Sequence, residues 1–166
     1  MPLLADERAL HLLADAINAA RETWRFTVWA YVFMSEHVHI LLHPSGPRYD
    51  IGLIRKAIKQ PVASRYIRRL RETASPALTK LCWQSRDGRI RYRFWQKGPG
   101  FDRNLFSPKA IHACIAYIHA NPARRGLVEV ETDWKWSSAN FYHAGKPGHL
   151  AIDPCPVLGL PERGHL

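Results

Sequence analysis

Residues 33–41 read Phe-Met-Ser-Glu-His37-Val-His39-Ile-Leu, two histidines flanking one apolar residue inside an apolar run. Strand side chains alternate faces, so His37 and His39 would project to one side and Val38, Ile40 and Leu42 to the other. Two imidazoles on one strand face can grip a metal ion, and a divalent ion on so rigid a platform would polarise a phosphate or carbonyl with little reorganisation. Further along, Tyr117 and Asn121 are four apart within a helical pattern and share a face. Each residue also has a plain structural use. A tyrosine there can simply pack, Asn121 can cap a helix end before Pro122, and strand histidines are often satisfied locally.

The elements that must position these residues follow from periodicity. Apolar positions Ala9, Leu10, Leu12, Leu13, Ala16, Ile17 and Ala20 predict an amphipathic helix over residues 6–21. Residues 25–33 are dense in β-branched and aromatic types. After the turn Met34-Ser35-Glu36, a strand over 37–43 must pair with them as an antiparallel hairpin. Residues 51–72 return to helical spacing, with an interruption expected at Pro61. Ser85 to Arg89 reads as a turn between short strands at 81–84 and 90–96. Ser107-Pro108 is a helix start, and Pro122 is expected to stop that helix at about Asn121. A brief strand at 127–128, a last short helix at 137–143 and a poorly ordered tail over 145–166 complete the pattern, so that 1–144 forms one domain.

Composition narrows the partner. The 166 residues carry 24 Lys and Arg against 14 Asp and Glu, a formal charge of +10, which points to a polyanion, with nucleic acid the first candidate. Within 51–71 the basic residues Arg55, Lys56, Lys59, Arg65, Arg68, Arg69 and Arg71 occur without an acid, and the first six are candidates for a phosphate-binding surface. A solvated helix face is the simpler account of such a run. No apolar stretch approaches the roughly 18 residues of a spanning helix, and no signal-peptide pattern follows Met1, so no membrane partner and a cytoplasmic location in a prokaryotic cell, near the nucleoid, are expected. Cys82, Cys114 and Cys155 are widely spaced, which argues against a disulfide framework or a structural zinc site.

Four motifs in order carry a resemblance. These are Ala30-Tyr-Val-Phe-Met-Ser-Glu-His37-Val-His39-Ile-Leu-Leu; Phe94-Trp95-Gln96; Tyr117-Ile-His-Ala-Asn121-Pro122-Ala-Arg-Arg-Gly126-Leu-Val; and Trp134-Lys-Trp136-Ser137-Ser138. Together they resemble the single-tyrosine HUH transposases, and most closely their REP-associated branch, over about residues 25–143. The resemblance implies that His37, His39 and Asn121 hold a divalent metal, Mg²⁺ or Mn²⁺, and that Tyr117 is the nucleophile. It implies a metal-dependent endonuclease and strand transferase acting on single-stranded, hairpin-forming DNA through a 5′-phosphotyrosine. A phenol is scarcely ionised at neutral pH, so such a nucleophile needs activation by the metal or a base. His43 and His119 lie near the motifs as polar or supporting residues.

The implied fold is α+β, the ferredoxin-like HUH arrangement: a mainly antiparallel sheet with helices packed on one face, Tyr117 facing the histidine pair. That fold ordinarily opens with a strand, whereas here Met1-Pro-Leu-Leu leads almost directly into a helix. Either the true start lies upstream or the sheet is one strand short, with backbone groups in need of another partner. Ser35-Glu36 also replaces the family's usual Pro-Asn or Pro-Asp before the first histidine, altering the turn and not the ligands. Monomer and homodimer both remain open. The alternative to an enzyme is a catalytically inactive, decayed or domesticated transposase that binds DNA hairpins. A histidine-triad phosphoesterase is disfavoured, since position 41 is Leu41.

Overall fold

The computed structural model describes residues 3–98 and 100–158. After a short 3-10 turn, α1 (Glu7–Trp24) is capped by Asp6, whose carboxylate accepts from the Arg8 N–H. Arg25, in the left-handed region at φ 50°, turns the chain into β1 (Phe26–Phe33), which pairs antiparallel with β2 (Val38–Pro44). There follow α2 (Ile51–Glu72), a small hairpin β3 (Cys82–Gln84) and β4 (Ile90–Tyr92), α3 (Pro108–Arg124) and the short α4 (Ala139–Ala144). Among the described residues the protein is thus α+β with two small antiparallel sheets.

β1 carries the design of the domain. A bulge between Val28 and Ala30 places both Trp29 and Ala30 on one face, while Val28, Tyr31 and Phe33 lie on the other. The second face packs with Val38, Ile40 and Leu42 of β2 against α1 and α2; the first packs with Leu41 against Ile111, Ile115 and Ile118 of α3. Helices therefore cover both faces, and the expectation of helices on one face is corrected. A two-stranded ribbon is too thin to hold a core on one side alone, so both apolar sides of β1 are buried.

The edge of β1 away from β2 is not left bare. Val28 N–H donates to the Asp153 carboxylate (2.8 Å) and its carbonyl accepts from Asp153 N–H (2.8 Å). Beyond the bulge, Tyr31 N–H donates to Ser138 Oγ (3.0 Å), and the Tyr31 carbonyl accepts from Ser138 N–H (3.0 Å). Phe33 N–H reaches the Trp136 carbonyl (2.8 Å), and the Trp134 indole donates to the Phe33 carbonyl (2.9 Å). Among the described residues no strand precedes α1, and the backbone groups that such a strand would pair are satisfied by the Trp134–Ser138 motif and by Asp153.

This arrangement also changes the expected C-terminal tail. Leu150, Ile152 and Cys155 are buried, the Leu150 N–H donates to Tyr31 Oη (3.2 Å), and Arg21 is ion-paired with Asp153. The remainder of the expected tail, 159–166, lies outside the described residues. Replacing Asp153 with Ala removes the acceptor of the Val28 N–H and the carboxylate beside the half-buried Arg21, a loss of about 2 kcal/mol or more. Chemical denaturation should show it as a lowered midpoint at unchanged slope; an unaltered midpoint would mean that the edge does not depend on this residue.

Two helices run past the prolines expected to interrupt or end them. α2 runs through Pro61 without interruption, because Ile54, Ile58, Val62, Tyr66 and Leu70 bury one continuous stripe. Five such side chains, at about 1.5–3 kcal/mol each, outweigh the roughly 3 kcal/mol of a proline inside a helix. α3 likewise continues past Pro122 to Arg124 and ends in a Schellman motif. Leu127 N–H bonds the Pro122 carbonyl (3.0 Å), Gly126 N–H bonds the Ala123 carbonyl (2.9 Å), and Gly126 takes the left-handed conformation at φ 67°. The expected strand at 127–128 is absent, those residues following the cap as irregular chain.

Candidate active site

The tight turn before β2 closes with Met34 N–H on the His37 carbonyl (2.9 Å), which sets His37 at the mouth of the strand. His37 and His39 occupy the α3 side of the ribbon, opposite Val38, Ile40 and Leu42. Their rings lie 4.9 Å apart, edge to face at 85°. Both have pKa values lowered. For His37 the causes are partial burial and then Arg125, opposed by Glu36; for His39 they are burial, then His37, then Arg125. Both imidazoles are therefore neutral at neutral pH, the form with a lone pair to offer a metal or a proton.

α3 brings the tyrosine to them. Ser107 Oγ accepts from the Ala110 N–H (3.2 Å) and Pro108 takes the first turn, so the helix starts at the sequence signal. Ile111, Ile115 and Ile118 then hold it on β1. Tyr117 lies on the rim of that contact, 47 % exposed, its ring 5.5 Å from His39 at 82°. One turn on, Asn121 is 6 % exposed, and its Nδ2 donates to the Tyr117 carbonyl (2.7 Å). His37, His39 and Tyr117, from two separate parts of the chain, thus meet in one open cluster, with Asn121 one turn beyond the tyrosine.

The donor set suits a divalent ion. It offers two neutral imidazoles and, with Nδ2 engaged, the Oδ1 of Asn121 as the oxygen donor. Among the described residues no three His, Cys, Asp or Glu side chains gather to hold a metal, so an ion at this site would use the asparagine amide or the substrate's own oxygens.

Two arginines complete the cluster. Arg124 lies over the Tyr117 ring, 5.4 Å from its centre, and Arg125 sits 3.7 Å from Glu36 across the mouth of the ribbon. Neither was singled out from sequence, although Arg124 is seven residues after Tyr117 and so shares its helix face two turns on. His43 lies away from the cluster, stacked on Trp29 (4.7 Å, 10°). His119 points inward: it is buried, and its Nε2 bonds Ser138 Oγ (2.8 Å).

The basic residues of α2 are placed differently from the cluster. α2 packs on the opposite face of the ribbon, and its cations divide into two groups. Arg55 and Lys59 lie toward the 95–102 segment: Arg55 is 3.5 Å from Asp102, and Lys59 stands over the Trp95 ring at 5.2 Å. Arg65, Arg68 and Arg69 line a shallow concavity with Arg8, His11 and Asp15 of α1. Lys56 is exposed near the first group. These six do not make one surface, because the apolar stripe of α2 winds between them.

A strand-borne histidine pair thus faces a helix-borne tyrosine, with an asparagine one turn beyond it. The chain is 27% identical, over 147 residues, to a Haemophilus influenzae protein provisionally named REP-associated tyrosine transposase, a match covering 82% of this chain and 76% of that protein. The resemblance to the REP-associated tyrosine transposases read from the four motifs is thus shown across most of the chain. No family model and no solved structure matches. No helix among the described residues is long and apolar enough to cross a membrane.

Proposed function

We propose that the protein is a tyrosine transposase of the HUH type, a single-stranded DNA endonuclease and strand transferase, with β1, β2 and α3 as the part of the ferredoxin-like HUH fold that holds its site. The observation that carries this reading is the approach of Tyr117 to His39, 5.5 Å between rings from segments far apart in the chain. Similarity to a relative named as a transposase supports the reaction class, and the charge of +10 supports a DNA substrate.

In this reading His37, His39 and Asn121 hold a Mg²⁺ or Mn²⁺ ion, which when bound would neutralise charge on the scissile phosphate. Tyr117 Oη gives its proton to solvent and bonds to phosphorus as the P–O3′ bond breaks. The departing oxygen takes up a proton as a free 3′-hydroxyl, and the 5′-phosphate stays on Tyr117. Arg124, over the phenol ring, and Arg125, at the mouth, attract the phosphate and hold it in line. The bond energy is retained in the phosphotyrosine, so attack by another 3′-hydroxyl joins strands without a nucleotide cofactor.

The test is to incubate the protein with Mn²⁺ or Mg²⁺ and end-labelled single-stranded DNA hairpins taken from around its own gene. A denaturation-resistant protein–DNA adduct that vanishes with chelator is the expected result. Salt-sensitive binding with no adduct under either metal would instead assign the protein to non-catalytic hairpin binding.

A further inference from the structure

Two phenylalanines stand almost wholly in solvent on the segment that leads into α3: Phe101 is 91 % exposed and Phe106 is 90 %. Scattered exposed apolar residues are ordinary, but these two belong to a segment that is fastened down between them. Asp102 is paired with Arg55 (3.5 Å), Asn104 Oδ1 accepts from Tyr49 Oη (3.4 Å), and Leu105 packs into the core beneath α3. The anchors hold the backbone while both rings are left outside. Tyr49, 47 % exposed, adds a third ring beside the segment through its bond to Asn104.

The surface is also cationic. Arg48 adjoins Tyr49, Arg103 lies between the two phenylalanines, Lys109 follows in the first turn of α3, and Lys56 is exposed near the start of α2. The acids nearby are already engaged: Asp50 caps α2 through the Leu53 N–H (3.0 Å), and Asp102 faces Arg55. Arg103 is close enough to Cys114 to act on its thiol, and Cys114 is one turn before Tyr117. Exposed flat rings interleaved with unopposed cations fit a strand whose bases are unpaired and whose phosphates face the cations.

We infer that Phe101 and Phe106 form a stacking platform for unpaired bases of the DNA strand that the Tyr117 site engages, with Arg103 on a phosphate between them. The inference rests on the function proposed above and adds to it a place where the flanking nucleotides lie. From Ser107 to Tyr117, α3 spans about 15 Å, or about four nucleotides at the stacked spacing of ~3.4 Å per strand. The platform would therefore hold nucleotides about that far from the cleaved bond.

The test is binding of a single-stranded oligodeoxynucleotide carrying one 2-aminopurine, in the Tyr117→Phe background and without metal, so that no cleavage intervenes. Stacking on the rings quenches the fluorophore. The double variant Phe101→Ala/Phe106→Ala should lose the quench and bind about tenfold more weakly for each ring removed. Phe101→Trp/Phe106→Trp should keep both, and Arg103→Ala should lower the salt slope of binding by about one. Both phenylalanines are exposed, so neither change threatens the fold. Unchanged affinity and quench in the double Ala variant would overturn the inference. So would a dimer, seen by sedimentation, that the double Ala variant splits without altered DNA affinity, since the rings would then bind a second copy. Adduct formation by the wild-type protein is read separately: with no adduct but a platform that binds as described, the platform stands and the enzymatic reading falls.

Discussion

Tyr117→Phe should abolish the covalent protein–DNA adduct and reduce strand cleavage on the order of 10⁴-fold or more, while leaving the fold and DNA affinity nearly intact. The substitution removes one oxygen, the atom that would bond to phosphorus, and a group acting as nucleophile has no neighbour that can replace it. Everything else the side chain does is done by its ring. The edge contact to His39 at 5.5 Å and the Arg124 cation at 5.4 Å both need only an aromatic face, which phenylalanine keeps. At 47 % exposure the hydroxyl is not a buried group whose loss would open a cavity. The thermal midpoint and the affinity for a single-stranded hairpin should therefore stay close to wild type. Labelled-strand gels with Mn²⁺ and Mg²⁺, set beside a melting curve, provide the measurement; full nicking by the variant would remove tyrosine attack from the mechanism. His39→Ala should lose cleavage as well, but with a restored rate only if added metal compensates for the missing imidazole, which separates the ligand role from the nucleophile role.

The residues of this cluster were legible because they obey the two simplest periodicities. His37 and His39 are two apart in a strand, and Tyr117, Asn121 and, in retrospect, Arg124 are spaced by one and two turns of a helix. The packing of α3 against the histidine face was likewise written in Ile111, Ile115 and Ile118, which bury the helix side nearest β1. What could not be read was anything carried by irregular chain. The Trp134–Ser138 segment has no alternation, yet it pairs with β1 through two backbone bonds, an indole and a serine hydroxyl. Asp153 binds the same edge from a Pro-containing stretch that composition alone marks as a tail. The placement of α2 also escaped, because charge composition gives the sign of a surface and not the face of the sheet on which it lies. The two prolines inside helices, Pro61 of α2 and Pro122 of α3, show the same limit: a local rule is overridden by burial in one case and by a position in the last turn in the other.

Stability should fall as the pH drops from about 6.5 toward 4, with His119 as a principal cause. Its imidazole is buried between α3 and the Trp134–Ser138 segment, bonded to Ser138 Oγ (2.8 Å) and close to the Tyr142 ring (5.0 Å). Burial lowers its pKa from 6.5 to about 4, with Glu131 opposing and His143 adding slightly. In the unfolded chain the same group takes a proton near 6.5. Between those values the unfolded state binds a proton that the folded state refuses, so the stabilisation is fully present above 6.5 and is lost as the pH falls through that window. At 1.36 kcal/mol per pH unit, the loss amounts to about 3 kcal/mol. Denaturation midpoints measured across that range should slope more steeply for wild type than for His119→Gln, which cannot titrate there; parallel curves would show that His119 is not the group responsible. The site should register the same event. Ser138 joins His119 of α3 to the Tyr31 backbone of β1, so this one hydroxyl links the helix that carries Tyr117 to the strand paired with the histidines. Protonating His119 places a cation in a buried site shielded from water. That cost weakens the contact between α3 and the Trp134–Ser138 segment, which helps hold Tyr117 opposite His39. The cleavage proposed for Tyr117 should accordingly weaken on acidification before the domain as a whole unfolds, and strand-cleavage assays run beside the denaturation series check it.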